Sequence, residues 1–196
     1  MTMIKPTTIL LLSSSLFSFA AVAAFDPVNI NCDAALYQDY TPSDFIDNKD
    51  GSVTDLRTSL TWAKCSIGQT YTLSSNSCSG SGAVSYATWS DALAAADSYN
   101  INGITGWRLP NIKELGSLVD RSCAEPSINL TLFPNTISSV YYSSTPFKGS
   151  ALSLTDEYNH LASRVIDFSN GTEMPLGQYD SSNTSYVVRA VKGGYR

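Results

Sequence analysis

The chain has 196 residues, 43% of them hydrophobic, with 12 Lys and Arg against 17 Asp and Glu, a net charge of −5. That length and composition predict one domain with a sizeable core. An acidic chain without a basic run is a poor partner for nucleic acid, whose phosphates reward clustered Lys and Arg.

Residues 1–24 read as a cleaved secretory signal peptide. Lys5 precedes an apolar stretch, Ile9 to Phe19, interrupted by serines, and Ala21-Val22-Ala23 or Val22-Ala23-Ala24 supplies the small-residue cleavage site. The stretch is too short and serine-rich to span the ~30 Å of a bilayer core, and no later segment is a candidate span. Removing Lys5 leaves eleven basic residues against seventeen acidic ones, a net charge of −6. Residues 25–44 follow as an irregular lead-in.

The four cysteines, Cys32, Cys65, Cys78 and Cys123, all lie beyond the leader, and an even count in an exported chain predicts two disulfides. Three pairings are open. Cys65 and Cys78 bracket a short polar loop, which favours Cys65–Cys78 and leaves Cys32–Cys123 to staple the lead-in. No C-x-x-C pair occurs and His160 is the only histidine, so a cysteine metal site is disfavoured and no cofactor is expected.

Phe45-Ile46-Asp47 and Ser52-Val53-Thr54-Asp55 flank Asn48-Lys49-Asp50-Gly51, a hairpin signal. Leu60-Thr61-Trp62-Ala63 is a further strand with Trp62 inward. The acidic cluster around Asp50 fails as a calcium loop. With Asn48 and Asp50 at positions three and five, position one falls on Ile46 and position twelve on Arg57. Ser74 to Ser85 reads as a loop. A first helix is predicted from Trp89 to Tyr99, started by Thr88 and Asp91 and striped by Ala92, Leu93 and Ala96.

The most specific segment is Gly106-Trp107-Arg108-Leu109-Pro110-Asn111-Ile112-Lys113-Glu114-Leu115. Pro110 forces Leu109 to be extended. Asn111 then caps a second helix, Ile112 to Val119, with Glu114 completing a capping box. Leu115, Leu118 and Val119 face the core. Further strands are predicted at Val140 to Ser144 and at Arg164 to Phe168. Another runs from Thr172 to Met174, after a tight turn at Ser169-Asn170-Gly171. Ser185 to Val191, apolar on both faces except at Arg189, reads as a buried central strand. Strands, two helices, then strands make an α+β domain over residues 45–196, two helices packed on a mainly antiparallel twisted sheet.

Several of these segments together resemble one family. They are Phe45 to Asp55, Leu60 to Thr70, Trp107 to Leu115, Tyr142 to Pro146, Val165 to Gly171 and Val188 to Gly194. The combination resembles the domain family named for the C-terminal domain of the Legionella collagen-like adhesin, the Lcl C-terminal domain. The resemblance implies a C-type-lectin-like fold, with the Trp-Arg-Leu-Pro corner shared with formylglycine-generating enzymes. It also implies a homotrimer and binding of sulfated polysaccharides. The chain departs from that pattern in lacking a Gly-X-Y stretch and in being acidic, which suits a polyanion poorly.

Trp107, Arg108, Leu109, Pro110, Asn111 and Glu114 form the structural signature, with Arg108 packed on the indole and paired to a carboxylate or carbonyl. His160 has no triad around it. The calcium-binding motifs of lectins and the C-terminal cysteines of formylglycine-generating enzymes are both missing. The chain is therefore read as a non-enzyme. Tyr141, Tyr142, Tyr158, Asn159, Asn170 and Tyr179 form the candidate ligand surface, with Tyr186, Gln178 and Asn183 nearby. The expected function is adhesin-like recognition of an extracellular glycan or surface protein, from the periplasm, the cell surface or the medium. The alternative is a structural subunit of a surface appendage or trimeric assembly.

Overall fold

The computed structural model describes residues 31–33, 35–80, 82–147, 162–176 and 186–194. In chain order the elements are β1 (Phe45–Asp47), β2 (Ser52–Asp55), β3 (Leu60–Ala63), β4 (Thr70–Thr72) and β5 (Ser77–Ser79). Then follow α1 (Trp89–Asp97), α2 (Ile112–Gly116), β6 (Val140–Phe147), β7 (Ala162–Asp167), β8 (Thr172–Leu176), β9 (Tyr186–Val187) and β10 (Val191–Gly193). The class is α+β. One sheet has the order β1-β2-β3-β10, another β8-β7-β6-β9, and β4 and β5 form a separate hairpin. All pairings are antiparallel except β6 with β9.

The first hairpin forms where the Asp-Gly signal falls. Gly51 sits at φ +96°, a conformation that L side chains resist. Asp47, Asp50 and Asp55 each accept a hydrogen bond from the backbone N–H two residues on, at Lys49, Ser52 and Arg57, all at 2.9 Å. The acidic cluster is thus three Asx turns. Trp62 is fully buried.

α1 begins at Thr88, whose hydroxyl accepts from the Asp91 N–H, and ends two residues earlier than expected. The Ser98 hydroxyl there donates back to the Ala94 carbonyl at 2.8 Å. α2 is a single turn, not the longer helix predicted to Val119. Past Gly116 the chain tightens to three-residue hydrogen bonds, Leu118 N–H to Leu115 and Val119 N–H to Gly116. Leu115, Leu118 and Val119 still reach the core.

The loop expected over Ser74–Ser85 contains β5, paired with β4 and clamped by Cys65–Cys78, which closes a 13-residue separation. Cys32–Cys123 closes one of 91 residues. In the chain-entropy view these stabilise by about 3 and about 4–5 kcal/mol respectively.

A larger correction concerns the C-terminal segment. It is not one central strand. β9 lies at the edge of one sheet and β10 at the edge of the other, with residues 188–190 crossing between them. Arg189 lies in that crossing. Its fully buried guanidinium donates to the carbonyls of Ala63 (2.8 Å) and Lys64 and to the Thr136 hydroxyl (2.7 Å). It lies over the Phe133 ring at 5.0 Å and the Tyr141 ring at 5.9 Å. The backbone beside it pairs across the crossing, Ala63 N–H donating to the Ala190 carbonyl at 3.0 Å and Ile67 N–H to the Val188 carbonyl at 2.9 Å.

The core falls into two clusters. Trp62, Leu115, Leu118, Phe133, Tyr141, Ile166, Phe168 and Val187 belong to one. Ala63, Ala92, Ala96, Trp107, Leu109, Tyr142, Val165 and Val188 belong to the other. Neighbours on a strand point to opposite faces, so β6 and β7 are covered on both sides. That corrects the ligand-surface expectation for Tyr141 and Tyr142, which are 0% and 2% exposed. The Tyr141 hydroxyl shares a 2.8 Å hydrogen bond with Ser66, and its ring packs edge-on against Phe168. Burial pushes the Tyr142 hydroxyl pKa up to about 12, with Tyr186 and Asp91 adding to the shift.

Candidate functional site

The Trp-Arg-Leu-Pro-Asn corner sits where the two sheets, α1 and α2 converge. The buried Trp107 indole donates to the Ile104 carbonyl at 2.9 Å and meets Tyr99 edge-on at 6.1 Å. The ammonium of Lys192 lies 5.3 Å from the indole ring centre, so β10 supplies a cation there.

Arg108 joins the corner to the C-terminal strand. Its N–H donates to the Val191 carbonyl at 2.8 Å and its carbonyl accepts from the Val191 N–H at 3.0 Å. Its guanidinium meets both carboxylate oxygens of Glu114 at 2.8 Å and donates to the Gly193 carbonyl at 2.9 Å. The side chains of this pair are 29% and 15% exposed, so it is shielded more than a surface ion pair.

Glu114 serves the cap as well. It accepts from the Asn111 N–H at 2.8 Å, while the Asn111 side chain accepts from the Glu114 N–H at 2.9 Å. Burial pushes the Glu114 carboxyl up, but the bonds from Arg108 and Asn111 outweigh it and hold the pKa below the ordinary value. The extended side of the corner is tied to β6. Ser144 N–H donates to the Pro110 carbonyl at 2.7 Å, and Ile112 N–H donates to the Thr145 hydroxyl at 2.9 Å.

Between α1, the corner and β6 lies an open groove of about 460 Å³, lined by Leu93, Ala94, Asp97, Arg108, Leu109 and Ser144. Leu93 and Leu109 supply an apolar floor. Asp97, Arg108 and Ser144 supply polar groups at its edge. This arrangement can hold a small apolar face and hydrogen-bond its rim. Sequence reasoning named Arg108 and Leu109 as structural but missed the groove, because its other wall comes from the exposed side of α1.

Of the expected ligand surface, Asn170 is exposed at the β7–β8 turn, its side chain accepting from the Thr172 N–H at 2.9 Å. Tyr158, Asn159 and Tyr179 lie outside the described residues, as do His160, Gln178 and Asn183.

Sequence reasoning also missed a buried lysine. Lys64 is 2% exposed and pairs with Asp47 at 2.9 Å. Burial raises the Asp47 pKa, but bonds from Lys49 and Lys64 bring it down to about 2. A Lys before a Cys carries no sequence signal of burial.

The folded scaffold is a disulfide-braced α+β domain whose Trp-Arg-Leu-Pro-Asn corner ties its sheets together. Compared with known families, the chain matches the Lcl C-terminal domain over residues 51–192, and it belongs to that family of adhesin-associated domains. No curated protein and no solved structure matches the chain. No helix among the described residues is long and apolar enough to cross a membrane.

Proposed function

We propose that the chain is an exported, non-enzymatic recognition module of C-type-lectin-like fold that binds an extracellular glycan or a surface protein in the groove beside the corner. The observation that carries this reading is the groove itself. Its volume of about 460 Å³ falls in the ordinary range of ligand sites, and it combines an apolar floor with a few fixed polar groups. A pyranose ring offers a matching apolar face and hydroxyls. Arg108 is already oriented by Glu114, which lowers the ordering cost of a contact. Export is supported by the leader sequence and by the two disulfides, and an adhesin-associated family fits a surface partner.

The test is a glycan array and a surface-protein pull-down with the leader-free chain, each run with and without chelator. The expected result is calcium-independent binding that Ala94→Trp abolishes while melting temperature stays within about 2 °C, since Ala94 is exposed on α1. Binding untouched by Ala94→Trp removes the groove from the reading. Blank arrays and pull-downs overturn it.

A further inference from the structure

We propose that Lys64 and Asn76 are the partners of an intramolecular isopeptide bond, formed by the chain itself with Asp47 as its proton carrier. This inference is independent of the groove and of any ligand.

Three kinds of group meet around one buried amine. The Lys64 amine is a nucleophile, is 2% exposed, and lies 2.9 Å from the side-chain oxygen of Asn76. The Asn76 carboxamide is an electrophile held on both ends. Its oxygen also accepts from the Tyr71 hydroxyl at 2.9 Å, and its NH2 donates to the Thr131 carbonyl at 3.0 Å. The Asp47 carboxylate touches the same amine at 2.9 Å. The Tyr71 ring lies 4.9 Å from the amine, which also donates to the Tyr71 hydroxyl at 3.1 Å.

An isolated amide resists amines because the amine is protonated, the carbonyl is weakly electrophilic and encounter is rare. Each obstacle has an answer here. Asp47 is ionised and 2.9 Å from Nζ, so it is the nearest acceptor for a proton that the Lys64 ammonium sheds, and its pKa of about 2 makes it a weak base and the step slow. The Tyr71 hydroxyl is aimed at the oxygen where negative charge develops. The fold holds nucleophile and carboxamide together.

The step balances without another reactant. Lys64 Nζ bonds to the Asn76 side-chain carbon and the carbon–Nδ2 bond breaks. Nζ sheds two protons, the first to Asp47, which passes it to solvent and ends as it began, and Nδ2 takes up two protons and leaves as ammonium. The chain loses one ammonia, about 17 Da. The new link closes nearly the same loop as Cys65–Cys78, so the β4–β5 hairpin keeps a covalent closure that reductants cannot open.

The tryptic map of the reduced and alkylated full chain decides the matter. Trypsin cuts after Arg57, Lys64 and Arg108, with no other Lys or Arg between Lys64 and Arg108. The linked chain gives Thr58 to Arg108 as one piece, about 17 Da light, with no backbone fragments between Lys64 and Asn76. Chymotrypsin nicks that piece after Tyr71 without separating its halves. Asp47→Ala is expected to lower the linked fraction at least about tenfold. Quantitative release of Thr58–Lys64 at full mass from the wild-type chain overturns the proposal. So does an ammonia loss that maps elsewhere, and complete linkage in Asp47→Ala removes the role of Asp47.

Discussion

Replacing Glu114 tests whether the corner holds the fold together. Glu114→Ala removes two things at once. The capping bond to the Asn111 N–H is worth about 1 kcal/mol. The two-pronged pair with Arg108 is shielded beyond a surface ion pair, and charge-assisted hydrogen bonds of this kind contribute about 2 kcal/mol. The expected loss is therefore about 3 kcal/mol, a drop in melting temperature of roughly 6–12 °C for a domain of this size. Glu114→Gln keeps one acceptor oxygen, able to serve Asn111 N–H and Arg108 Nη1 as Oε2 does, but turns an NH2 toward Arg108 Nη2, so it is expected to cost about 1–1.5 kcal/mol.

Urea unfolding with intact disulfides gives both numbers, and Arg108→Ala completes a double-mutant cycle with a coupling of about 1–2 kcal/mol. Glu114→Ala within about 0.5 kcal/mol of wild type refutes the shielded-pair argument. Equal costs for Ala and Gln refute the separation of cap from charge.

Two further predictions rest on single groups. Glu114 and Asp47 both have folded pKa values below their ordinary 4.5 and 3.8, Asp47 at about 2. Their stabilisation is fully present above those ordinary values and is lost as pH falls through the folded ones. Melting temperature measured from about pH 6 downward should hold above pH 5 and then fall toward pH 2, with Glu114→Gln flattening the upper part of that fall. Tyr141→Phe keeps the ring between Phe168 and Arg189 but strips Ser66 of its partner. Chemical denaturation should show a loss of about 1–2 kcal/mol, and a neutral result would mean that Ser66 re-pairs.

What was legible in the sequence was local. Asp50-Gly51 makes a hairpin because the signal and the strands it joins lie within a dozen residues. Asn111 and Glu114 satisfy each other across one turn, and Thr88 with Asp91 does the same. The terminal segment failed for the opposite reason. Its apolar run from Tyr186 to Val191 fits a buried strand, yet Arg189 is held by carbonyls of Ala63 and Lys64 more than 120 residues away, a demand that no neighbour announces. Tyr141 and Tyr142 are a related case. Alternation sends one to each face, but only the assembled fold says that both faces are covered. The groove was invisible because it is a gap between segments.

The same long-range bonds make this corner a junction of the fold. Arg108 pairs through its backbone with Val191 and through its side chain with Glu114 and Gly193. Gly194 closes the arrangement with φ +79°. A Cβ there would lie 2.8 Å from Leu60, on β3, and within 3.6 Å of both Arg108 and Glu114. The corner, β3 and the C-terminal end thus share one small space: the corner supplies a donor fork and a carboxylate, and the C-terminal end a residue without a side chain. Two walls of the groove, Leu109 with Arg108 and Ser144, are fixed by bonds of this same junction. The proposed recognition in the groove and the cohesion of the sheets therefore draw on one set of residues. A substitution at Arg108 that weakens binding cannot be assigned to ligand contact until its effect on stability has been measured alongside.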